Sequence, residues 1–150
     1  MQFLPKHVKQ LSVRVCFLGI IIKYNTMEDF VTFEIAKKLK EKGFDKPCSW
    51  LYSSYKVLNW FDDNLIEQHP DFVLAPTISQ VLKWLREEKK YHVEFVGNAC
   101  GYLFIVSDIP SEGGTDRYCS DYSGPNDGGT WDKYEDCALA AIEYIIDNLI

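Results

Sequence analysis

The cysteines and histidines are the residues of this sequence that could do chemistry most directly. A thiol such as Cys100 or Cys119 becomes a nucleophile when an imidazole, here that of His92, lies within hydrogen-bond reach. A zinc site would need these residue types as closely spaced ligand pairs. The sequence has no C-x-x-C pair, its three histidines are far apart, and no serine stands in a G-x-S-x-G motif. We therefore expect no catalytic residue set and no metal site.

Two glycine motifs and a group of acidic residues suggest other ligands. Residues 113–115 and 128–130 both read Gly-Gly-Thr, and a phosphate cradle needs such a turn at the start of a helix, usually with a lysine. No lysine stands at the required place. Calcium would need side chains that alternate along one loop, which is not the spacing of Asp116, Asp121, Asn126, Asp127 and Asp132. We interpret both patterns as turns and expect no cofactor.

Aromatic residues make up 15% of the sequence, which is a high proportion. Large rings either pack in a core or form a patch that contacts another molecule. About half of the rings on alternating strands must face the core, so both interpretations stay open. The candidate binding residues are Trp50, Tyr52, Tyr55, Trp60, Tyr118, Tyr122 and Trp131.

Charge is unevenly distributed along the chain. Nine basic and five acidic residues precede Pro47, seven basic and seventeen acidic residues follow it, and the net charge is −6. The acidic part would repel phosphate backbones, so nucleic acid is the least favoured class of partner. DNA or RNA would have to be bound by the basic helix that contains Lys37, Lys38, Lys40 and Lys42.

The length of 150 residues suits a single domain. We expect this domain to cover residues 27–150. Residues 1–26 would form an N-terminal extension, either upstream of a natural start at Met27 or with an extra strand at residues 12–17. The apolar run at residues 15–22 is too short to span a membrane and lacks a small-residue cleavage site. The five cysteines are scattered, which favours free thiols in the reducing cytoplasm.

Apolar residues at the helical period predict three helices. The first covers residues 32–42 with Thr32 as its N-cap, and the second begins with a capping box formed by Thr77 and Gln80. The third begins near Asp132, whose side chain can cap it. Its apolar stripe consists of Tyr134, Ala138, Ala141, Ile142, Ile145 and Leu149.

Strand signals lie between these helices. Residues 49–55 and 56–61 are typical of one hairpin, and residues 92–96 and 102–106 form a second pair around a turn at residues 97–101. The order of elements is therefore α-β-β-α-β-β-α. This order predicts an α+β fold in which three helices cover a small, mainly antiparallel sheet of about four strands.

Three segments of the chain resemble small proteins of unknown function from gut Bacteroidales genomes, their phages and mobile elements. The similar segments are residues 30–44, 75–88 and 134–144, which are the helices and not the loops between them. The resemblance implies a start near Met27 and a cytoplasmic accessory role in a mobile element. It implies no activity, cofactor or binding residue.

These observations predict a non-enzymatic module that binds another protein through the aromatic strand region and a long loop at residues 108–130. A homodimer through the same rings is also compatible with the sequence, and no membrane partner is expected. The alternative function is that of a small enzyme with its site between this loop and the sheet. Such a site would gather His92 and either Cys100 or Cys119 with a buried carboxylate in a deep pocket.

Overall fold

The computed structural model describes residues 29–61, 68–109 and 114–150. The expectations for the extension at residues 1–26, for its apolar run and for a start at Met27 lie outside the described residues. Along the described chain, one helix is followed by three strands, a second helix, three more strands and a third helix. The α+β class is confirmed, and the order of elements follows the expected one with two further strands.

The three helices form where the periodic apolar residues predict them. They are α1 at Phe33–Glu41, α2 at Ile78–Trp84 and α3 at Tyr134–Asn148. Helix α2 continues into a π-helical turn at Leu85–Lys89, which stops at Lys90 in the left-handed conformation, with φ at 65°. Among the described residues, no helix combines the length and the apolar character that crossing a membrane requires.

The first two helices are capped as expected. The Thr32 hydroxyl accepts a hydrogen bond from the Ile35 N–H at 3.3 Å. The Gln80 N–H donates to the Thr77 hydroxyl at 3.2 Å, and the Thr77 N–H donates to the Gln80 side-chain oxygen at 2.9 Å. This reciprocal pair satisfies two backbone donors that the first turn of a helix leaves open.

The expected cap of α3 is wrong. Lys133 occupies the N-cap position, and no side chain accepts a hydrogen bond there. The Asp132 carboxylate instead accepts a hydrogen bond from the Asn126 side-chain amide at 2.7 Å. The carboxylate therefore fastens the end of the preceding loop, and the helix begins one residue later than expected.

The first sheet has the strand order β2-β1-β3 and is antiparallel throughout. Its strands are β1 at Trp50–Tyr52, β2 at Leu58–Trp60 and β3 at Val73–Leu74. β1 and β2 form the expected hairpin, in which Trp50 lies opposite Trp60. β3 has two residues, too few to show an alternating pattern, and it pairs with β1 through Leu51 and Leu74.

The second sheet has the order β4-β5-β6 and is also antiparallel. Its strands are β4 at Tyr91–Asn98, β5 at Gly101–Asp108 and β6 at Asp116–Cys119. Asn98 lies opposite Gly101, so the turn consists of Ala99 and Cys100 alone. β6 lies within the stretch expected to be a loop, because its composition there is polar and rich in turn-forming residues.

Helix α3 lies at the centre of the core. It packs against α1, α2, β4 and β5. Its buried side chains are Cys137, Ala138, Ala141, Ile142, Ile145 and Ile146. The central residues of the predicted stripe therefore face the interior. Of its two ends, Tyr134 is 38% exposed, and Leu149, one residue past the helix, is half-buried against the core.

Candidate interaction surface

The residues considered for a thiol–imidazole pair lie far apart. His92 is near the start of β4, whereas Cys100 lies in the turn after its last residue, Asn98. The rise of a strand separates residues 92 and 98 by about 20 Å. Cys119 lies two strands away from His92, on β6 opposite Ile105. All three candidate side chains are exposed, so neither thiol lies beside the imidazole in a closed pocket.

A row of His92, Ser107 and Asp116 crosses the second sheet, and sequence reasoning did not identify it. His92 lies opposite Ser107, which lies opposite Asp116. The Ser107 hydroxyl donates to the Asp116 carboxylate at 2.7 Å. A serine nucleophile needs its hydroxyl to face the imidazole that takes its proton. The three residue types of a catalytic triad are present, but the Ser107 hydroxyl donates its hydrogen bond to Asp116 and not to His92.

The segment at residues 108–130, where the alternative enzyme site was expected, is fastened to β5 in its described part. The Ser120 hydroxyl accepts from the Phe104 N–H at 2.8 Å, and the Phe104 carbonyl accepts from the Ser120 N–H at 3.0 Å. The buried Thr130 hydroxyl donates to the Cys100 carbonyl at 2.6 Å. Trp131 and Tyr102 then exchange two backbone hydrogen bonds, at 2.8 and 2.9 Å. These contacts close the segment onto the sheet.

The four cysteines within the described residues divide into two buried and two exposed thiols. Burial raises the pKa of Cys48 and that of Cys137 to about 11, so both stay protonated near neutral pH. Cys100 and Cys119 are exposed, and all four thiols are free. In the described part of the chain, no three histidine, cysteine or acidic side chains come together as metal ligands.

Two of the candidate binding residues, Trp50 and Trp60, form the centre of a ring cluster on the first sheet. Their ring centroids are 5.1 Å apart in an edge-to-face arrangement. Phe30, which the sequence did not single out, contacts Trp50 in the same way at 5.9 Å. Trp60 remains 65% exposed, whereas Trp50 and Phe30 are half-buried.

The other two candidates on this hairpin differ in their burial. The Tyr52 ring packs edge-on against Phe33, and its hydroxyl donates to the Val31 carbonyl at 2.7 Å. Its burial raises the pKa of the Tyr52 hydroxyl. Tyr55 lies in the turn and is 87% exposed. We define the hairpin surface as Phe30, Trp50, Tyr55, Val57 and Trp60.

The turn of the hairpin is fixed to α1. Lys56 forms an ion pair with Glu34, and its ammonium group lies 5.4 Å from the centre of the Phe33 ring. The hydrogen bond from Lys56 lowers the pKa of Glu34. Within the turn, the Ser53 N–H donates to the Val57 carbonyl at 2.9 Å. The exposed apolar side chains therefore extend from a turn with a defined conformation.

The three remaining candidates lie on the second sheet and its adjoining loop. Tyr118 stacks on Tyr144 of α3 with ring centroids 3.8 Å apart, and Trp131 packs against Phe104 at 5.7 Å. Tyr122 is 87% exposed. Among the described residues, the ring pairs of the two sheets share no member. The structure therefore brings Trp50 and Trp60 together but not all seven candidates.

A groove of about 660 Å³ lies between α1 and the first sheet, and no pattern in the sequence predicts it. Its lining is mostly apolar and includes Ala36, Phe44 and Leu51. The ammonium group of Lys40, which also lines it, donates to the carbonyls of Pro70 and Phe72 at 3.4 and 3.5 Å. The groove therefore offers mainly apolar contacts, because the Lys40 ammonium group already donates hydrogen bonds within the protein.

The basic helix has few cations available for a phosphate backbone. Lys38 forms ion pairs with Glu143 at 2.8 Å and with Asp147 at 2.7 Å. The hydrogen bonds that Lys38 donates to Asp147 and Glu143 raise the pKa of Lys38, and the bond to Asp147 contributes most. Lys40 and Lys42 donate to backbone carbonyls. Internal contacts thus occupy three of the four lysines that nucleic-acid binding would need.

Comparisons with protein-family models, with curated proteins and with solved structures found no match to this chain. Its function is therefore inferred from the arrangement of its own side chains.

Proposed function

We propose that this protein is a non-enzymatic module that binds another protein through the hairpin surface. The observation that carries the proposal is Trp60, a tryptophan that is 65% exposed on a regular strand. Exposed aromatic side chains in fixed positions are the residues that contribute most to protein–protein affinity. The partner would present an apolar pocket that accepts an indole ring.

The surroundings of Trp60 support this role. Trp50 holds one edge of the indole, so little conformational entropy is lost when a partner covers it. Tyr55 and Val57, which are 87% and 56% exposed, extend the apolar area along the same hairpin. Lys56, which is exposed in the same turn as Tyr55, provides a charged group at the end of the hairpin. An apolar centre with polar neighbours is the usual composition of a protein interface.

The same proposal includes a cytoplasmic accessory role, in a mobile element or phage. The free thiols of Cys48, Cys100, Cys119 and Cys137 suit a reducing compartment. The resemblance of the three helical segments to small proteins of Bacteroidales mobile elements supports the biological setting. The separation of His92 from both exposed thiols supports a binding role over a catalytic one.

The test is to capture partners from an extract of the protein's own cells, and then to titrate the purified partner. The variants are Trp60→Ala and Tyr55→Ala on the hairpin surface. Tyr122→Ala is the matched control, since Tyr55 and Tyr122 are both 87% exposed. We expect Trp60→Ala to raise the dissociation constant by about tenfold or more, because central aromatic contacts dominate affinity. Tyr122→Ala should leave it unchanged.

Equal losses in Tyr55→Ala and Tyr122→Ala would contradict the hairpin surface as the site of contact. Failure to capture a specific partner with the unmodified protein would contradict the binding function itself. Thermal unfolding of each variant checks that lost binding does not reflect lost structure.

A further inference from the structure

Strand β4 forms an open edge of the second sheet. It is eight residues long, Tyr91–Asn98, and it pairs only with β5 among the described residues. An edge strand presents a row of backbone N–H and C=O groups that can pair with another chain. The backbone and side chains of β4 therefore determine which partner fits this edge.

The hydrogen-bond pattern identifies which backbone groups are open. The Ile109 N–H donates to the Lys90 carbonyl at 2.8 Å, which makes residues 90 and 109 a hydrogen-bonded pair. In an antiparallel ladder, hydrogen-bonded and non-hydrogen-bonded pairs alternate. The backbone groups of Tyr91, Val93 and Phe95 therefore point away from β5. Within the described residues, no second strand pairs with this side of β4, and no loop forms a backbone hydrogen bond to it.

The opposite edge of the sheet is protected, whereas nothing in the described part of the chain covers the edge at β4. β6 has four residues, carries the charged Asp116 and Arg117, and pairs with β5 across a bulge. Short length, charge and bulges are the features that prevent edge strands from associating. β4 is twice as long, and its pairing with β5 is regular from end to end.

The side chains of β4 on the core side of the sheet are incompletely covered. Tyr91, Val93 and Phe95 are half-buried, whereas Phe104 and Val106 on the central strand are buried. An additional strand beside β4 would extend the sheet past these side chains. It would remove more of their apolar surface from water, which favours association.

We propose that two copies of this protein form a dimer by antiparallel pairing of their β4 strands. The two-fold axis passes beside Val93, so that Tyr91 of each copy lies opposite Phe95 of the second copy. The pairing makes one continuous six-stranded sheet. Three residue pairs of the new ladder exchange about six backbone hydrogen bonds, since each hydrogen-bonded pair exchanges two.

Charge complementarity selects this register. It places His92 opposite Glu94 of the second copy, twice in the dimer, and an imidazole N–H can donate to a carboxylate. His92 and Glu94 are both exposed and have no side-chain partner within the described residues. An axis beside Glu94 would oppose two carboxylates, which is destabilising. An axis beside Phe95 would leave Glu94 opposite Val96.

The first test measures the mass in solution by sedimentation equilibrium over a range of concentrations. The unmodified protein should approach twice the mass of the chain as concentration rises. His92→Glu opposes carboxylates in both symmetric pairs, so it should raise the dimer dissociation constant roughly tenfold. The double variant His92→Glu/Glu94→His exchanges the two groups and should restore dimerisation. Thermal unfolding of the variants checks that each one is folded.

A mass of one chain at every concentration would overturn the dimer. A dimer that His92→Glu weakens but the double variant fails to restore would overturn the register. This interface is on the second sheet and does not involve the hairpin surface, so its failure would leave the proposed function unaffected.

Hydrogen exchange of individual amides tests the same inference at the strand itself. The N–H groups of Tyr91, Val93 and Phe95 should exchange rapidly in dilute protein and slowly where the dimer forms. Rapid exchange of these three amides in the dimer would place the interface elsewhere and overturn the proposal. Protection of the same amides in a monomer would show that β4 pairs within its own chain, which would also overturn it.

Discussion

The two sheets of this molecule differ in strand length and in where their aromatic side chains lie. The first sheet has strands of two or three residues, and its Trp60 and Tyr55 are largely exposed. The second has two strands of eight residues, and Phe104 at its centre contacts the rings of Tyr118, Trp131 and Tyr144. Similar ring types therefore form a surface in one sheet and a core in the other.

This difference indicates that the second sheet contributes mainly to the stability of the fold, whereas the first sheet presents the rings available for binding. The second sheet packs under α3, which contacts both β4 and β5. The first sheet is fixed instead by its turn, by α1 and by short ladders. Exposed rings on the first sheet can change with little loss of stability, whereas buried rings on the second cannot.

The largest expected effect is a direct test of that division. Phe104→Ala should lower the free energy of unfolding by about 3–5 kcal/mol, the usual cost of removing a buried ring. Phe104 is 2% exposed, whereas Trp60 is 65% exposed. Trp60→Ala should therefore cost less than about 1 kcal/mol, as surface substitutions do. Urea unfolding monitored by far-UV circular dichroism measures both, and similar losses would contradict the division.

The loop beside the second sheet provides the next effect. A Cβ at Gly129, where φ is +72°, would collide with the backbone of Tyr122. Gly129→Ala should therefore cost about 3 kcal/mol, since a backbone clash adds to the strain of the left-handed conformation. Gly128 has φ +86° but open space around its Cα, so it is the matched control. Gly128→Ala should cost only about 1 kcal/mol.

Equal effects of the two glycine variants would mean that the loop relaxes away from Tyr122. The same urea titrations would show this, because Gly129→Ala would then lose only the strain shared with Gly128→Ala.

Ser120 gives a smaller effect at the outer side of the same sheet. It is fully buried, and its hydroxyl accepts from the Phe104 N–H. Ser120→Ala should cost about 1–3 kcal/mol, the range for a buried donor left without a partner. The control is Ser123→Ala, because the exposed Ser123 hydroxyl contacts only that of Tyr118 among the described side chains. If both variants unfold at the same urea concentration, water replaces the Ser120 hydroxyl.

The sequence was sufficient to predict the helices because their signals are local. The apolar stripe of α3 and the caps at Thr32 and Thr77 depend on residues within one or two turns of each other. The predicted cap at Asp132 is wrong because the loop before α3 folds back, and the Asn126 amide donates a hydrogen bond to the Asp132 carboxylate. β3 was missed because two residues show no period, and β6 because its composition resembles that of a loop.

The candidate surface could be predicted only in part. The number of aromatic residues at positions 50–61 indicated the hairpin. The alternation of side-chain direction along a three-residue strand, however, cannot show which of these rings a distant segment covers. Phe30 reaches Trp50 from twenty positions earlier in the sequence. The Tyr118 ring stacks on Tyr144, a contact that depends on how α3 crosses the sheet. Both contacts follow from tertiary packing, which a single sequence does not specify residue by residue.

The smallest expected effect concerns Lys38, which links the two regions by pairing α1 with Glu143 and Asp147 of α3. Lys38→Met should cost less than about 1 kcal/mol, because these groups are partly exposed and screened by solvent. The hydrogen bonds to Asp147 and Glu143 raise the pKa of Lys38 above 10.5. A lysine whose pKa is higher in the folded state than in the unfolded state stabilises the fold fully at any pH below the unfolded-state pKa. This stabilisation is lost as the pH rises through the folded-state pKa.

The difference between the unmodified protein and Lys38→Met should therefore shrink above pH 10.5 and at high salt. Urea unfolding at neutral and alkaline pH, each at two ionic strengths, measures this difference. Lys37→Met is the control, since Lys37 is exposed and forms no ion pair within the described residues. A loss for Lys38→Met that is independent of both salt and pH would mean that the lysine stem packs between α1 and α3. The two regions would then be joined by apolar contact at this point, and not by charge.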